Sequence, residues 1–172
     1  MTNKASPHEE HKALAPTTVR CAVLTISDSR SPETDYGGRA VAYMLVQKGH
    51  AVVRRWIVPD EAAQIDAALL DVVRDAEVDA LITTGGTGIA RRDVTYETVA
   101  RRLTKVIDGF GELFRYLSYK EIGSAAMMSR AIAGIAAGKI IIALPGSPAA
   151  CELAMEKLVL PELTHLVQQA RK

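Results

Sequence analysis

Short apolar runs and longer stretches of helical spacing alternate along the first half of the chain. The runs over 19–26, 51–58 and 78–82 are apolar and rich in β-branched residues, which is typical of buried strands. Between them, apolar residues at helical spacing predict helices over 35–48 and 61–76. Strands that alternate with helices predict an α/β fold of three layers, in which helices cover both faces of a mostly parallel central sheet.

The second half of the chain continues this alternation but contains one pair of neighbouring strands. Helical spacing predicts helices over 95–103 and 108–122, and Thr95 is the expected N-cap of the first. The apolar runs 131–136 and 139–144 are separated by only two residues, which predicts an antiparallel strand pair. The C-terminal part of the sheet is therefore expected to depart from the parallel pattern.

A final helix is predicted to begin after Ser147. A serine N-cap followed by proline in the first turn, here Pro148, is a strong helix-start signal, because the hydroxyl accepts a free N–H and proline lacks one. The helix should run to about Gln169, with a break or kink near Pro161.

Composition and charge narrow the class of protein. The chain has 172 residues, 48% of them hydrophobic, and a formal net charge of +1, which gives no support for a nucleic-acid partner. No apolar run has membrane-spanning length and no secretory signal is evident, so we expect a cytoplasmic protein without a membrane partner.

Cys21 and Cys151 form no metal or redox motif and are expected to be buried thiols. The polar residues 1–17 predict a flexible arm ahead of one domain over 18–172.

The strongest chemical signal is the sequence TTGGTG at residues 83–88, directly after the strand predicted over 78–82. Its three glycines let the backbone take positive φ and let a ligand approach the main chain closely. The N–H groups of such a loop can turn together toward an anion. A tight surface turn is the alternative interpretation of this composition.

Four polar or glycine-rich segments each follow a predicted strand. They are Ser27–Asp28, Pro59–Asp60, Thr84–Asp93 and Pro145–Ser147. The carboxyl ends of parallel strands share one edge of the sheet, and ligands of such folds bind in the crevice there. We therefore expect the four segments to converge, whereas unrelated surface turns would be divided between both edges.

Two aspartates in these segments are candidate Mg²⁺ ligands. Asp60 and Asp93 are short carboxylates at strand ends, suited to a Mg²⁺ ion that keeps several waters. Each could instead cap a helix, and Asp60 directly precedes the helix predicted from Glu61. Arg91 and Arg92 could neutralise phosphates or remain a solvated pair.

Several familiar phosphate and nucleotide sites are absent from the sequence. Gly138 and Lys139 are followed by Ile140, which does not fit the Walker A pattern. Arg91 occupies the place of the third glycine in a dinucleotide fingerprint. Phosphate chemistry at an uncommon glycine loop remains as the prediction.

From about residue 19 to its C-terminus, the chain resembles the molybdopterin-binding MoaB/MogA family of molybdenum cofactor biosynthesis proteins. The resemblance is carried by motifs in this order: Thr25–Asp28, Val58–Asp60, Thr83–Gly88, Arg92–Thr95, Gly109–Glu112, Met128–Arg130 and Leu144–Pro148. Any one of them would be weak, but together, at this spacing, they are highly specific.

Two segments refine the resemblance. The sequence over 113–123 is more similar to the MoaB branch than to the MogA branch. Tyr96 stands where the family usually has proline, which removes a preferred first-turn residue of the following helix.

The resemblance implies a nucleotidyltransferase that joins molybdopterin to AMP, using Mg-ATP and releasing pyrophosphate. It implies that Asp60 and Asp93 serve catalysis and hold Mg²⁺, while the glycine loop binds the pterin or its phosphate. The expected substrate-binding residues are Ser27, Asp28, Thr84, Gly85, Gly86, Thr87, Gly88, Arg92, Pro145, Gly146 and Ser147. Transfer of this kind needs positioning and charge stabilisation more than a covalent nucleophile.

Two alternatives to an enzyme stay open at this point. The chain could bind pterin or nucleotide without catalysis, as a carrier or scaffold of the same pathway. It could also be a structural oligomer with a vestigial loop, because the family forms trimers or hexamers. The apolar stripe over 109–117 could supply a contact between copies, although core packing explains the same pattern.

Overall fold

The computed structural model describes residues 16–172. Its strands are β1 (Arg20–Ile26), β2 (Ala51–Val58), β3 (Ala80–Thr84), β4 (Lys105–Val106), β5 (Ile132–Ala136) and β6 (Lys139–Leu144). Its helices are α1 (Tyr36–Gln47), α2 (Ala62–Arg74), α3 (Thr95–Arg102), α4 (Asp108–Ile122), α5 (Pro148–Ala154) and α6 (Leu160–Ala170). The arm predicted over 1–17 lies almost entirely outside the described residues.

The six strands form one sheet in the order β2-β1-β3-β6-β5-β4. The first four of these are parallel, and β5 runs antiparallel to both β6 and β4. The predicted α/β fold, mostly parallel with one antiparallel pair near the C-terminal part, is confirmed. The two-residue strand β4 was not predicted, because Lys105–Val106 is too short to carry a hydrophobic period.

Helices cover both faces of the sheet. The row Val23–Ile82–Ile142 packs on one face against α1, α4, α5 and α6, and the row one residue earlier packs against α2 and α3. The side chains of Val23, Ile82 and Ile142 are fully buried. Because successive strand residues point to opposite faces, strands that are buried on both sides are apolar throughout rather than alternating.

The third strand extends two residues further along the chain than predicted. Thr83 and Thr84 are buried and belong to β3, and the Thr84 hydroxyl donates to the Thr25 hydroxyl at 3.3 Å. The two hydroxyls suggested a loop, but β-branched threonine fits the pleated surface of a strand well. The glycine loop therefore begins directly at Gly85.

The start of α3 also differs from the prediction. Val94, not Thr95, is the N-cap, and no side chain caps this helix. Thr95 is the first helical residue, and its N–H donates to the Gly86 carbonyl at 2.9 Å. The prediction of Thr95 as N-cap was wrong, and its buried hydroxyl has no partner within the described residues.

The last helix contains a π-helical turn just before the proline, and its backbone stays helical through that turn. A π-helical turn over Met155–Val159 separates α5 from α6, and Pro161 lies in the first turn of α6. Ser147 is the N-cap of α5 as predicted, accepting from the Ala150 N–H at 3.3 Å.

The strand order reverses at β1 and β3, since β2 lies to one side of β1 and the later strands lie beyond β3. Loops that leave such a reversal diverge to opposite sides and open a crevice at the carboxyl edge. No helix of residues 16–172 combines the length and the apolar character that crossing a bilayer requires.

Candidate active site

A cavity of about 630 Å³ opens at the carboxyl edge of the sheet, above β1, β3 and β6. It is lined by residues of all four segments that the sequence places after strands. The predicted site residues in its wall are Ser27, Asp60, Thr84, Gly85, Gly86, Thr87, Gly88, Asp93, Pro145, Gly146 and Ser147. Segments that are up to 120 residues apart, from Ser27 to Ser147, therefore meet at one place.

The glycine loop adopts a conformation that side chains would prevent. Gly85 and Gly86 have φ of +96° and +64°. A Cβ on Gly85 would collide with the Ile26 carbonyl, and one on Gly86 would collide with the Thr95 hydroxyl and approach Asp60 Oδ1 to 2.8 Å. The glycines are thus needed both for their dihedral angles and for close packing of the loop.

Two further glycine contacts define the floor of the cavity. A Cβ on Gly146 would lie 3.2 Å from Gly85 Cα, and one on Gly37 would lie 3.1 Å from the Gly146 carbonyl oxygen. The loops after β3 and β6 and the start of α1 therefore meet backbone to backbone, with no side chain between them.

The loop leaves N–H groups free for a ligand. The Gly86 carbonyl accepts from Thr95, and the carbonyls of Thr87 and Gly88 accept from Arg130, both at 2.8 Å. Among the described residues, no protein acceptor takes the N–H of Gly86, Thr87 or Gly88. Unpaired N–H groups on successive residues beside a cavity are suited to an anion.

Asp60 lies beside this loop in an acidic environment. Its Oδ2 accepts from the Asp28 N–H at 3.0 Å, and Asp28 Oδ1 accepts in return from the Asp60 N–H at 3.0 Å. Burial raises the pKa of Asp60, and the negative charges of Asp28 and Asp93 raise this pKa further. A bound cation would relieve the repulsion that these carboxylates share.

Asp93 closes the far side of the loop. Its Oδ2 accepts from the Ala90 N–H at 2.8 Å. Neither this residue nor Asp60 caps a helix, since the N-caps of α2 and α3 are Glu61 and Val94. The capping interpretation of the two acids is therefore not supported, and each carboxylate has an oxygen without a protein donor within residues 16–172.

Asp28 and Arg92 lie at the rim rather than in the wall of the cavity. Arg92 bridges two acids, with Nη2 at 2.6 Å from Asp28 Oδ2 and Nη1 at 2.9 Å from Glu61 Oε1. Asp28 also borders a neighbouring groove of about 660 Å³ along β2. In this arrangement the Arg92 guanidinium forms ion pairs with two carboxylates of the protein.

Several residues of the cavity wall were not predicted from the sequence. They are Thr25, Ile26, Ser29, Arg30, Asp35, Tyr36, Gly37, Met128, Ser129, Arg130 and Pro148. Asp35 is the N-cap of α1 and also accepts from the Thr25 hydroxyl at 2.9 Å. Asp35–Gly37 lie at the start of the helix that follows β1, and Arg130 lies just ahead of β5. Their positions next to strands in the sequence are the signal that could have identified them.

The buried thiols of the molecule are unsuited to nucleophilic chemistry. Burial raises the pKa of Cys151 to about 12, and its Sγ donates to the Pro145 carbonyl at 3.2 Å. Burial likewise raises the pKa of Cys21 to about 12. Both thiols are therefore protonated at neutral pH.

The donor set at the cavity fits Mg²⁺ held jointly with a ligand. Within residues 16–172 no group of three His, Cys, Asp or Glu side chains is arranged to hold a metal alone. Mg²⁺ in nucleotide sites is commonly bound by one or two carboxylates, with phosphates and waters completing the shell. Asp60 and Asp93 could supply those carboxylates, and the negative charges of Asp28 and Asp93 are among the causes that, after burial, raise the pKa of Asp60.

Comparison with known proteins identifies the family of this chain. The model of a family described as "Probable molybdopterin binding domain" matches residues 22–165. A protein of Halalkalibacterium halodurans named Molybdenum cofactor biosynthesis protein B is 48% identical over 165 residues, which span 95% of this chain and 97% of that protein. The protein of the same name from Bacillus subtilis is 47% identical over 165 residues, which span 95% and 97% of the two chains.

Solved structures show the same relationship. A crystal structure of Molybdenum cofactor biosynthesis protein B superposes with a TM-score of 0.88 at 48% identity, covering 91% of this chain and 98% of that one. The tungsten cofactor synthesizing protein MoaB from Pyrococcus furiosus gives a TM-score of 0.82 at 35% identity, covering 92% and 100%. The chain therefore belongs to the probable molybdopterin binding domain family, within the group of molybdenum cofactor biosynthesis proteins B.

Proposed function

We propose that this protein binds molybdopterin and adenylylates it with Mg-ATP, releasing pyrophosphate. The observation that carries the proposal is the meeting, in one cavity, of the unpaired glycine-loop N–H groups with the carboxylates of Asp60 and Asp93. The family relationship supports a role in molybdenum cofactor biosynthesis, and the family description supports molybdopterin as a ligand.

In the proposed reaction, a terminal phosphate oxygen of the pterin attacks the α-phosphorus of ATP. A new P–O bond forms, the bond between the α-phosphorus and the bridging oxygen to the β-phosphate breaks, and pyrophosphate leaves. The N–H groups of Thr87 and Gly88 are suited to hold phosphate oxygens at the loop. Such fixed donors stabilise the charge that develops during phosphoryl-type transfer without reorganising.

The two carboxylates take the cation-binding role in this proposal. Asp60 and Asp93 would hold Mg²⁺, which when bound neutralises phosphate charge and orients the leaving group. Asp60 is held in place by its reciprocal hydrogen bonds with Asp28, and Asp93 by the Ala90 N–H. Ser147 adds a hydroxyl at the N-terminus of α5, where a helix end favours negative charge.

The direct experiment is an assay with purified protein, molybdopterin, ATP and MgCl₂. We expect pyrophosphate release that requires all three additions, together with a product heavier than molybdopterin by one adenylyl group in mass spectrometry. Calorimetric titrations with molybdopterin and with ATP accompany the assay. Binding of either ligand without pyrophosphate release would identify a carrier. Binding of neither ligand would contradict the proposal that the cavity binds molybdopterin and ATP.

Self-association is a separate part of the proposal. Within α4, Phe110 and Phe114 are buried in the core, while Leu113, Tyr116 and Ile122 are 52%, 56% and 56% exposed. One helix therefore supplies both core packing and an exposed apolar surface, which favours contact with another copy. We expect a homotrimer or homohexamer in light scattering coupled to gel filtration, and Leu113→Glu should reduce its mass to that of the monomer.

A further inference from the structure

One arginine of the cavity wall holds the carbonyl groups of the glycine loop. Arg130 lies just ahead of β5, and 42 residues separate it from Gly88 along the chain. Its Nε donates to the Thr87 carbonyl and its Nη2 to the Gly88 carbonyl, each at 2.8 Å. Two adjacent carbonyls that accept from a single guanidinium fix the orientation of both peptide planes, because the guanidinium donors are rigid with respect to one another.

These bonds also determine where the loop's donors point. In a trans peptide the N–H lies opposite the C=O. The bond to the Thr87 carbonyl therefore holds the Gly88 N–H on the side away from Arg130, and the bond to the Gly88 carbonyl does the same for the Ile89 N–H. The Thr95 N–H acts similarly on the preceding peptide through the Gly86 carbonyl. Three successive peptides of a glycine-rich segment are thus each held in a fixed orientation.

Arg130 is itself held on two sides by residues of α3. Its Nη1 lies 2.5 Å from Glu97 Oε1, and its guanidinium carbon lies 4.7 Å from the centre of the Tyr96 ring. The hydrogen bond from Arg130 lowers the pKa of Glu97, as expected for a carboxylate that stays ionised beside a cation. Tyr96 stands where the resemblance to the family leads one to expect proline, and a proline could not supply this stacked ring.

We propose that Arg130, held by Glu97 and Tyr96, is the positioning residue that keeps the glycine loop in its anion-binding conformation. The loop's glycines have many accessible conformations, and few of them align the free N–H groups. Pre-ordering the aligned conformation reduces the entropy lost when an anion binds. The inference rests on the proposed anion-binding role of the loop, but the order of the free loop can be measured without any ligand.

The first experiment measures backbone order in the free protein by ¹⁵N relaxation. We expect order parameters of about 0.85 for the N–H groups of Gly88 and Ile89 in the unmodified protein and values below about 0.6 in Arg130→Gln. Arg130→Lys keeps the charge but lacks the two-pronged donor, so it should also lose order. Arg39→Gln, which removes an equal charge from an exposed position of α1, is the matched control and should leave the loop rigid.

The second experiment titrates inorganic pyrophosphate into the same variants by calorimetry. We expect Arg130→Gln to raise the Kd at least about tenfold, since two charge-assisted hydrogen bonds to the loop are lost. Tyr96→Ala should raise the Kd about threefold through loss of the cation–π contact, while Tyr96→Phe retains the ring and should bind as the unmodified protein does.

The two measurements together decide between positioning and simple charge attraction. Unchanged order parameters in Arg130→Gln, or wild-type affinity in Arg130→Lys, would show that Arg130 contributes its charge and not the loop conformation, which overturns the proposal. If the unmodified protein bound no pyrophosphate, the proposed function would be contradicted, and the relaxation data would still test the positioning role by themselves.

Discussion

Charged groups at the two ends of the central sheet have opposite electrostatic environments. At the amino end, the buried carboxylate of Asp79 accepts from the Arg20 N–H at 2.9 Å, from Arg20 Nη2 at 2.8 Å and from Arg171 Nη2 at 2.6 Å. The Lys139 ammonium donates nearby to the carbonyls of Asp75 and Val78. Burial alone would raise the pKa of Asp79, but its bonds to the two arginines hold that pKa below its usual value.

At the carboxyl end, the balance is reversed. The charge of Asp60 is opposed by burial and by neighbouring acids, so its pKa is raised. The loop N–H groups of Thr87 and Gly88 and the buried hydroxyl of Thr95 have no protein partner within the described residues. One end of the sheet satisfies its polar groups and stabilises the fold, while the other leaves them available for a ligand, at a cost in stability that functional sites commonly carry.

The largest effect we expect is on activity at the carboxyl end. Asp93→Asn retains the oxygen that accepts from the Ala90 N–H but removes the charge. Pyrophosphate release should fall about a hundredfold or more, as is typical when a group that stabilises transferring phosphate is lost. Circular dichroism should show unchanged melting. Asp71→Asn, on the exposed face of α2, is the matched control, and equal loss in both variants would contradict a specific role for Asp93.

The next largest effect is on stability at the amino end. Asp79→Ala removes the common partner of Arg20 and Arg171 and should lower the free energy of unfolding by about 3 kcal/mol, as for other buried ion pairs that lose one member. Glu77→Ala removes an exposed partner of Arg20 and should cost less than about 1 kcal/mol. Urea unfolding measures both. A similar small loss in the two variants would show that burial does not distinguish these pairs.

Alanine substitutions at two glycines distinguish the cost of backbone strain from the loss of ligand binding. Gly86 and Gly138 have φ of +64° and +75°, at the carboxyl and amino ends respectively. Alanine at either should cost about 1 kcal/mol through its dihedral angles. A Cβ at Gly138 would meet only the Ala170 carbonyl at 3.6 Å, whereas one at Gly86 would meet the Thr95 hydroxyl and Asp60. Only Gly86→Ala should therefore lose pyrophosphate binding as well, and retention of binding would show that the loop tolerates displacement.

The smallest expected effect is a difference in pH dependence between the two ends. The raised pKa of Asp60 means that its ionised form destabilises the fold, so its contribution becomes more favourable as the pH falls through that pKa. Asp79, with its lowered pKa, contributes stability above the unfolded-state pKa and loses it as the pH falls through the folded-state pKa. Because Asp60 is partly exposed, Asp60→Asn should melt only about 1–2 °C above the unmodified protein at pH 7.

Thermal melts from neutral to acid pH test this difference. The advantage of Asp60→Asn should shrink toward acid, as Asp60 of the unmodified protein becomes protonated. Activity should decline over the same range, with a midpoint above the ordinary aspartate value of 3.8. An advantage that grew toward acid would mean that folding lowers the pKa of Asp60 instead of raising it.

Local patterns in the sequence were sufficient to predict the sheet, its antiparallel pair and the placement of the strand-end loops. Apolar periodicity reports on burial, and burial on both faces of a parallel sheet is what fixes the layers. The Ser147 cap was also local, since its hydroxyl bonds only three residues ahead. These features depend on residues that are neighbours along the chain.

The features that escaped prediction depend on contacts between distant residues. Arg130 reaches carbonyls 42 and 43 residues away, and Arg92 pairs with Asp28 across 64 residues. Thr95 has the residue type of an N-cap, but its N–H donates to the Gly86 carbonyl, and the N-cap lies one residue earlier than predicted, at Val94. No local pattern indicates which partner a long side chain or a loop N–H will meet after folding.

The direct backbone contacts among Gly37, Gly85 and Gly146 have a consequence for how this protein can evolve. A side chain at Gly37 or Gly146 would require the neighbouring backbone to shift by a few tenths of an ångström, and one at Gly85 would collide with the Ile26 carbonyl. Single substitutions at these glycines disturb a neighbouring segment, whereas the exposed wall residues Arg30 and Tyr36 can change one at a time. Descendants of this sequence should therefore diversify in what they recognise at the entrance while inheriting the same floor.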